Sequence, residues 1–371
     1  MPPHTQFQRH PALHSIASSH TMPRGARPQQ PWEGTMAGRK LAASLIVTLV
    51  ALFVGAACSS DSQTIAFTSD RNGTSGIYLA SPGSESVSSL TAPGLTAFSP
   101  RWSPDGRQVA FLASNDGVVD IFVQEVGVTE ATRVTDTPQE EKRLRWSPDG
   151  KTLAFLVDVP GVSQHLHVMD DLKSGQSRRL TAGAASESDH AWSEDGKRLA
   201  FAVLEGGNPS PGLFLRNPSG VNEVRLTLGL DAAPAWGPND GAVVFQSMRD
   251  ENDEIYRLDL RNDAPDGEPV RLTDNPASDH SPAWSPDGKW VAFISDRDGN
   301  QEVYVMTPDG TELTRLSFNT AEEQDLAWSA DNRLAFVSDV NGSDDVFIMD
   351  PNGMNQERIT LSMAQDWEPH W

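Results

Sequence analysis

Histidines and carboxylates stand a few residues from recurring tryptophans, where they could bind a metal ion or a polar ligand. They are Asp189, His190, Asp231, Asp279, His280, Asp325, Asp366, Glu368 and His370, and comparable places in two other repeats hold Arg101, Arg143 and Arg145. Imidazole and carboxylate groups are ligands for divalent ions such as Zn²⁺ and Ca²⁺. The pattern allows three interpretations: a solvated rim of salt-linked charges, a binding site for a protein segment or small molecule, or a metal-assisted hydrolase or lyase.

No other motif supports catalysis. A serine hydrolase of the nucleophile-elbow type needs Gly-x-Ser-x-Gly, and the sequence contains no such pentapeptide. The segment 296–302 has oxygen-bearing side chains at alternating positions, but an EF-hand needs a twelve-residue loop between helices, so a plain β-turn is favoured. We therefore expect no catalytic residue, no metal site and no cofactor, with calcium or zinc as alternatives.

The overall charge indicates which classes of partner the protein is able to bind. The 371 residues include 29 Lys plus Arg against 51 Asp plus Glu, a formal charge of −22, which disfavours nucleic acid because phosphate binding needs a basic face. The single cysteine excludes an intrachain disulfide and a cysteine-based zinc site. We expect a monomer that binds a protein or a small molecule.

The N-terminal region has the pattern of an export signal. Residues 41–57 are uncharged and apolar and follow Arg39 and Lys40, as in a secretory signal peptide. Small residues before Cys58 resemble a bacterial lipobox, in which the cysteine is acylated, although Gly55 stands where Leu is usual. An uncleaved membrane anchor, or ordinary cleavage with an incidental cysteine, are the alternatives. All three place the rest of the chain outside the cytoplasm.

The region before the signal lacks an apolar pattern, which suggests that translation begins at Met36 or, failing that, at Met22. We divide the chain into a non-native extension at 1–35, a signal peptide at 36–57, a linker at 58–63 after the lipidated cysteine, and one folded domain at 64–371.

This folded domain contains seven copies of one pattern. The tryptophans that mark it are Trp102, Trp146, Trp192, Trp236, Trp284, Trp328 and Trp371. The apolar pairs that end in phenylalanine are Ala66-Phe67, Ala110-Phe111, Ala154-Phe155, Ala200-Phe201, Val244-Phe245, Ala292-Phe293 and Ala335-Phe336. Turn residues such as Ser-Pro-Asp-Gly separate Trp from Phe and predict adjacent antiparallel strands, and two more apolar runs follow in most units.

Four short strands per unit and no helical periodicity predict an all-β fold. A small sheet cannot bury both of its faces alone, so we expect radial stacking into a seven-bladed β-propeller, with six blades as the alternative. The first Phe has no Trp before it and the last Trp has no Phe after it. The C-terminal strand is therefore expected to close the ring in the first blade, with the repeated aromatic residues in the core.

The repeat from Ala283 to Met306 resembles the propeller repeat of the periplasmic TolB family, a WD-like repeat also found beside hydrolase domains in peptidases. TolB resembles a six-bladed propeller preceded by an α/β domain, and this chain has one more repeat and no room for that domain. The resemblance implies an exported, non-catalytic binding or scaffolding lipoprotein of the bacterial envelope, whose ligand binds at the channel mouth. The alternative is an envelope hydrolase or lyase that uses the Asp and His residues.

Overall fold

Each repeat of the sequence forms one antiparallel sheet, and seven sheets stand around a central channel. The structure is a computed structural model that describes residues 63–115, 117–161, 163–205 and 210–371. The innermost strands of blades 1 to 7 are Asp366–His370, Thr96–Trp102, Glu140–Trp146, Ser186–Trp192, Asp231–Trp236, Asp279–Trp284 and Glu323–Trp328. The second strands are Ile65–Ser69, Gln108–Asn115, Leu153–Val159, Leu199–Glu205, Ala242–Ser247, Val291–Ser295 and Leu334–Ser338.

The outer half of each blade is also built from two strands. The third strands are Gly76–Ala80, Val118–Glu125, Ser163–Met169, Gly212–Arg216, Glu254–Arg261, Glu302–Met306 and Asp345–Met349. The outermost strands are Val87–Ser89, Thr132–Arg133, Arg178–Arg179, Val224–Arg225, Val270–Arg271, Thr314–Arg315 and Glu357–Arg358. Blade 5 adds a two-residue strand, Ala264–Pro265, and a short 3₁₀ turn, Pro238–Asp240. The prediction of seven four-stranded blades is confirmed, and the six-bladed alternative is wrong.

In five blades the turn after the Trp is held by its own side chains. In blade 2, Gly106 has a φ of 66°, and its N–H donates to the carbonyl of Ser103 at 2.8 Å. The Ser103 hydroxyl donates to Asp105 at 2.6 Å and accepts from the N–H of Gln108 at 3.0 Å. Glycine accepts positive φ and aspartate bonds nearby backbone, so these residues reverse the chain between the inner and second strands.

The ring closes as the unpaired Trp and Phe indicated. The last strand pairs antiparallel with Ile65–Ser69, with Ala66 opposite His370 and Ser69 opposite Asp366. Trp371 packs against the cluster that contains Phe67. The first sheet therefore combines three strands from the start of the propeller with one from its end, which leaves no open edge in the ring.

The core lies between neighbouring blades. The seven phenylalanines of the apolar pairs are all almost completely buried, and each stacks on or tilts against a ring of the third strand at 5.6–6.1 Å between centroids. One cluster joins Val244 of blade 5 to Phe293 of blade 6. Removing such a Phe side chain typically costs about 3–5 kcal/mol of stability, so these contacts fix the blade positions.

The tryptophans depart from the expectation that they are core residues. Six of the seven are only half-buried, and Trp146 alone is buried. All seven border the open end of the channel. They therefore pack the blades with part of each ring and form an aromatic rim with the rest, which we call the Trp rim.

The extension, the signal peptide, the start site and Cys58 lie outside the described residues. Within the described part of the chain, no helix has the length and apolar character needed to cross a membrane.

Candidate functional site

A β-bulge in every inner strand decides which side chains reach the channel. The pairing with the second strand shifts register in the middle of all seven inner strands. The third residue before the Trp has positive φ, from 47° to 56°, in six strands: Ser99, Arg143, Ala233, Ser281, Asp325 and Glu368. Because one extra residue changes the face to which later side chains point, residues on the two sides of the bulge have different environments.

A cavity of about 2010 Å³ opens at the Trp rim. The residue directly before the Trp lines it in every blade, and the residue three before the Trp lines it in six. Seven of the twelve candidate residues line it: Arg101, Arg143, Arg145, Asp189, Asp325, Glu368 and His370. The position directly before the Trp divides the wall in two. Blades 1 to 3 have His370, Arg101 and Arg145 there, which we call the charged arc. Blades 4 to 7 have only alanine, namely Ala191, Ala235, Ala283 and Ala327, which we call the alanine arc.

The arginines of this wall are poorly supplied with acceptors. Arg145 lies 3.6 Å from Asp189, and a guanidinium nitrogen of Arg101 donates to the carbonyl of Pro100 at 2.7 Å. The Nε atoms of Arg101 and Arg145 are buried and have no partner among the described residues. Burial and the nearby charge of Arg145 lower the pKa of Arg101 to about 10, so Arg101 remains cationic at neutral pH. Burial acts to raise the pKa of Asp189, but the positive charges of Arg145 and Arg143 outweigh it and lower this pKa below its ordinary value.

The carboxylates are better satisfied. Glu368 accepts from the N–H and the hydroxyl of Ser99 at 2.7 and 2.6 Å and from the Thr68 hydroxyl at 3.0 Å. Asp325 accepts from the N–H of Glu368 at 3.0 Å, and burial raises its pKa.

His370 is a neutral member of the charged arc. Burial and the charges of Arg101 and Arg145 lower the pKa of His370 to about 3. Its Nδ1 lies 3.3 Å from the N–H of Trp102 and accepts from it, so Nε2 carries the ring proton. This imidazole links blade 1 to blade 2 and does not titrate in the physiological range.

Asp231, Asp279 and Asp366 do not reach the channel, contrary to the expectation. They lie before the bulge, and their side chains are completely buried inside the blades. Each forms an ion pair at 2.8–2.9 Å with an arginine of the turn that follows the second strand: Asp231 with Arg249, Asp279 with Arg297, and Asp366 with Arg71. These carboxylates therefore tie the inner strand to its own blade.

The two histidines proposed as metal ligands are also misplaced. His190 is fully buried within blade 4, and burial with the nearby Arg145 lowers its pKa to about 3. His280 of blade 6 does not line the cavity; its Nδ1 lies 3.0 Å from the Ser281 hydroxyl, and burial lowers its pKa. Across the described residues, no group of three or more His, Cys, Asp or Glu side chains could hold a metal ion.

The structure contains one polar array that the sequence did not predict. The Ser163 hydroxyl lies 2.6 Å from Nε2 of His165, and Nδ1 of His165 lies 3.2 Å from Glu187, the spacing of a serine nucleophile, base and acid. However, Arg179 also approaches Nδ1, at 2.9 Å. A guanidinium can only donate, so Nδ1 is an acceptor and the ring proton sits on Nε2.

The consequence is that His165 donates to Ser163 instead of accepting its proton. Burial raises the pKa of Glu187 to about 7, which lets this carboxyl keep a proton beside Nδ1. Blades 2, 5, 6 and 7 place an acid–arginine pair here, such as Asp120 with Arg133. The array is a variant of that structural pair, and no spacing rule in the sequence distinguishes it from the others.

Comparisons with known proteins agree with this architecture. The family model described as TolB beta propeller domain matches residues 96–229 and 191–333. TolB from Acinetobacter baumannii is 18% identical, with a TM-score of 0.57, over 83% of this chain and 66% of that one. The chain thus spans slightly less than two thirds of that TolB. No curated protein sequence matches significantly.

Similar folds also occur in enzymes. Oligogalacturonate lyase from Vibrio parahaemolyticus is 16% identical, covering 79% of this chain and 87% of that one, with a TM-score of 0.62. The β-propeller domain of the Trilobed protease from Pyrococcus furiosus is 14% identical, covering 81% and 92%, with a TM-score of 0.61. At such identities the likeness concerns the fold alone.

Proposed function

The chain belongs to the TolB beta-propeller family, and from this premise we propose that it is a non-catalytic binding protein of the bacterial cell envelope whose channel receives a segment of a partner protein. The observation that carries the proposal is the two-sided channel wall. The alanine arc leaves room for a chain, and the charged arc opposite offers unfilled hydrogen-bond donors.

The size of the cavity favours a protein segment over a small molecule. Small-molecule sites usually enclose about 300–1,000 Å³, and this cavity has about 2010 Å³. Its mouth is edged by the Trp rim, and tryptophan is enriched among residues that contribute most to protein binding. A rigid ring of sheets with an open mouth suits an extended segment that inserts without rearranging the blades.

The leader sequence supports a location in the cell envelope. The basic pair before residues 41–57 and the small residues before Cys58 support export and acylation of the mature N-terminus. A lipid chain on Cys58 would tether the propeller to the outer face of a membrane. The short linker would then keep the channel close to other envelope proteins.

The positions of the candidate ligands weigh against a metal-assisted hydrolase or lyase. Such an enzyme would need histidine and carboxylate groups around one ion. His190 lies inside blade 4 and His280 belongs to blade 6, outside the cavity lining. The protonated Nε2 of His165 likewise gives Ser163 no base.

Site-specific cross-linking of the full-length chain tests the proposal. A photoreactive residue replaces Ala330, which borders the cavity mouth, and in a matched control it replaces Lys173, which is exposed and outside the cavity. Irradiation of intact cells should attach one envelope protein from position 330 and none from position 173. Equal products from both positions, no product from position 330, or turnover of oligogalacturonate or peptide esters by the purified chain would contradict the proposal.

A further inference from the structure

We infer that Arg101, Arg143 and Arg145 form a carboxylate-binding subsite inside the channel. The inference rests on the proposed function and deepens it, because it states which chemical group of the partner segment the channel recognises. The three guanidinium groups come from the inner strands of neighbouring blades 2 and 3 and all line the cavity.

The first argument is the imbalance between donors and acceptors. Each guanidinium has five N–H donors. Within the described residues, these three groups form one hydrogen bond, which Arg101 donates to the carbonyl of Pro100. Arg145 adds a 3.6 Å ion pair to Asp189. The Nε atoms of Arg101 and Arg145 are buried without an acceptor, which is unfavourable for a hydrogen-bond donor. The Arg145 side chain is nevertheless 39% exposed, so its terminal nitrogens can bind oxygen atoms of a ligand in the channel.

The second argument is that the acids of the wall do not fill this need. Glu368 is held by Ser99 and Thr68, and Asp189 accepts from the N–H of His190 at 2.8 Å. The acids bring the formal charge of the wall close to zero but leave the guanidinium forks open. A carboxylate fits such a fork with two parallel hydrogen bonds.

Arg143 is the most accessible of the three. Its side chain is exposed in the channel and forms no hydrogen bond or ion pair of 4 Å or less with the described residues. The bulge gives it a φ of 55°, and this conformation directs the guanidinium into the opening. A segment that lies against the alanine arc would therefore present its carboxylate to Arg143 first and then to Arg145.

Two labelled peptides serve as probes of the full-length chain. Hexaglutamate with an amidated C-terminus carries only side-chain carboxylates, and hexaglutamine with a free C-terminus carries only the terminal one. Fluorescence anisotropy should show binding of at least one probe. Whichever probe binds identifies the source of the carboxylate, and Arg143→Gln should weaken that binding at least tenfold.

The controls separate charge from fork geometry and from folding. Lys173→Gln removes the same charge outside the cavity and should leave binding unchanged, whereas Arg143→Lys should restore only part of it. Arg143 is exposed, so its variants should melt like the wild type. Failure of both probes to bind, or equal binding by wild type and Arg143→Gln, would overturn the subsite. If the envelope protein still cross-links from position 330 in the Arg143→Gln chain, the proposed function stands without it.

Discussion

The guanidinium of Arg71 lies 2.9 Å from the carboxylate of Asp366, which joins the first hairpin of the propeller to its last strand. Asp366 is completely buried, and the Arg71 side chain is 17% exposed. The same guanidinium stands over the rings of Phe67 and Tyr78, 5.2 and 4.7 Å from their centroids. The closing sheet is therefore fastened by charge and aromatic contacts in addition to its strand pairing.

Arg71→Ala should lower the free energy of unfolding by about 3 kcal/mol, because it leaves a buried carboxylate without its partner. Urea denaturation measures the change. Arg107→Ala is the matched control: Arg107 pairs with Asp105 at 3.9 Å, and both side chains are largely exposed. Exposed pairs contribute at most about 1 kcal/mol, so similar losses in the two variants would argue against a special role for the closing pair.

Removal of residues 365–371 should lower the melting temperature sharply, since it takes away the inner strand of blade 1 and opens the ring. Calorimetry of the full-length and shortened chains compares the transitions. A shortened chain that melts at the wild-type temperature would show that the last strand does not close the propeller.

Ala233→Gly should stabilise the protein by about 0.5 kcal/mol. Alanine at a φ of 47° is strained, and relief of a left-handed conformation exceeds the entropy that glycine adds to the unfolded chain. Ala232→Gly, one residue earlier and outside the left-handed region, should instead destabilise by a similar amount. Changes of the same sign in both variants would mean that the bulge is not strained.

The repeat could be predicted from the sequence, but part of the site could not. The bulge is the physical reason for the difference. Turn residues and the Trp and Phe spacings determined the blade number, the strand order and the closure. A strand without a bulge would have turned Asp231 and Asp279 to the same face as residues nearer the Trp. The bulge reverses that face, and nothing in the local composition marks it, since the bulged residue is Ser, Arg, Ala, Asp or Glu.

The sequence did contain a signal for the two-sided channel wall. The position directly before the Trp is histidine or arginine in blades 1 to 3 and alanine in blades 4 to 7, and this division is visible in the repeats. The burial of His190 also had a signal in the repeats, because its equivalents in the other blades are Pro or Leu, apolar residues that indicate a position without solvent.

Three buried glutamates should contribute less to stability as the pH rises from about 4.5 to about 7. Burial raises the pKa of Glu323, with help from the nearby Glu302 charge, from 4.5 to about 7, and burial does the same for Glu141 and Glu187. In this window each of these glutamates is more protonated in the folded chain than in the unfolded chain, so its contribution to the free energy of unfolding decreases with pH. His190 and His370, whose pKa values burial lowers to about 3, contribute in the opposite direction below about pH 6.5.

Glu323→Gln should make the slope of the unfolding free energy against pH more positive, because glutamine resembles the protonated acid and its carbonyl oxygen can still accept from Asn319 and Ser338. Urea denaturation at half-unit pH steps gives the slope for each chain. Glu85→Gln, at an exposed position, is the control and should keep the wild-type slope. A Glu323→Gln slope that matches wild type would mean that Glu323 is ionised in the folded protein.

Ser163 should not react with a fluorophosphonate, which labels serine nucleophiles that have a general base. Arg179 donates to Nδ1 of His165, so Nε2 holds a proton and donates to the Ser163 hydroxyl. Intact-mass measurement at pH 6, where Glu187 keeps its proton, should show no adduct, while a serine esterase treated in parallel is labelled completely. Arg179→Gln provides the sharper comparison, because it removes the donor that fixes the tautomer. Labelling of wild-type Ser163 would show that Nε2 is free to accept and that the array is a working nucleophile.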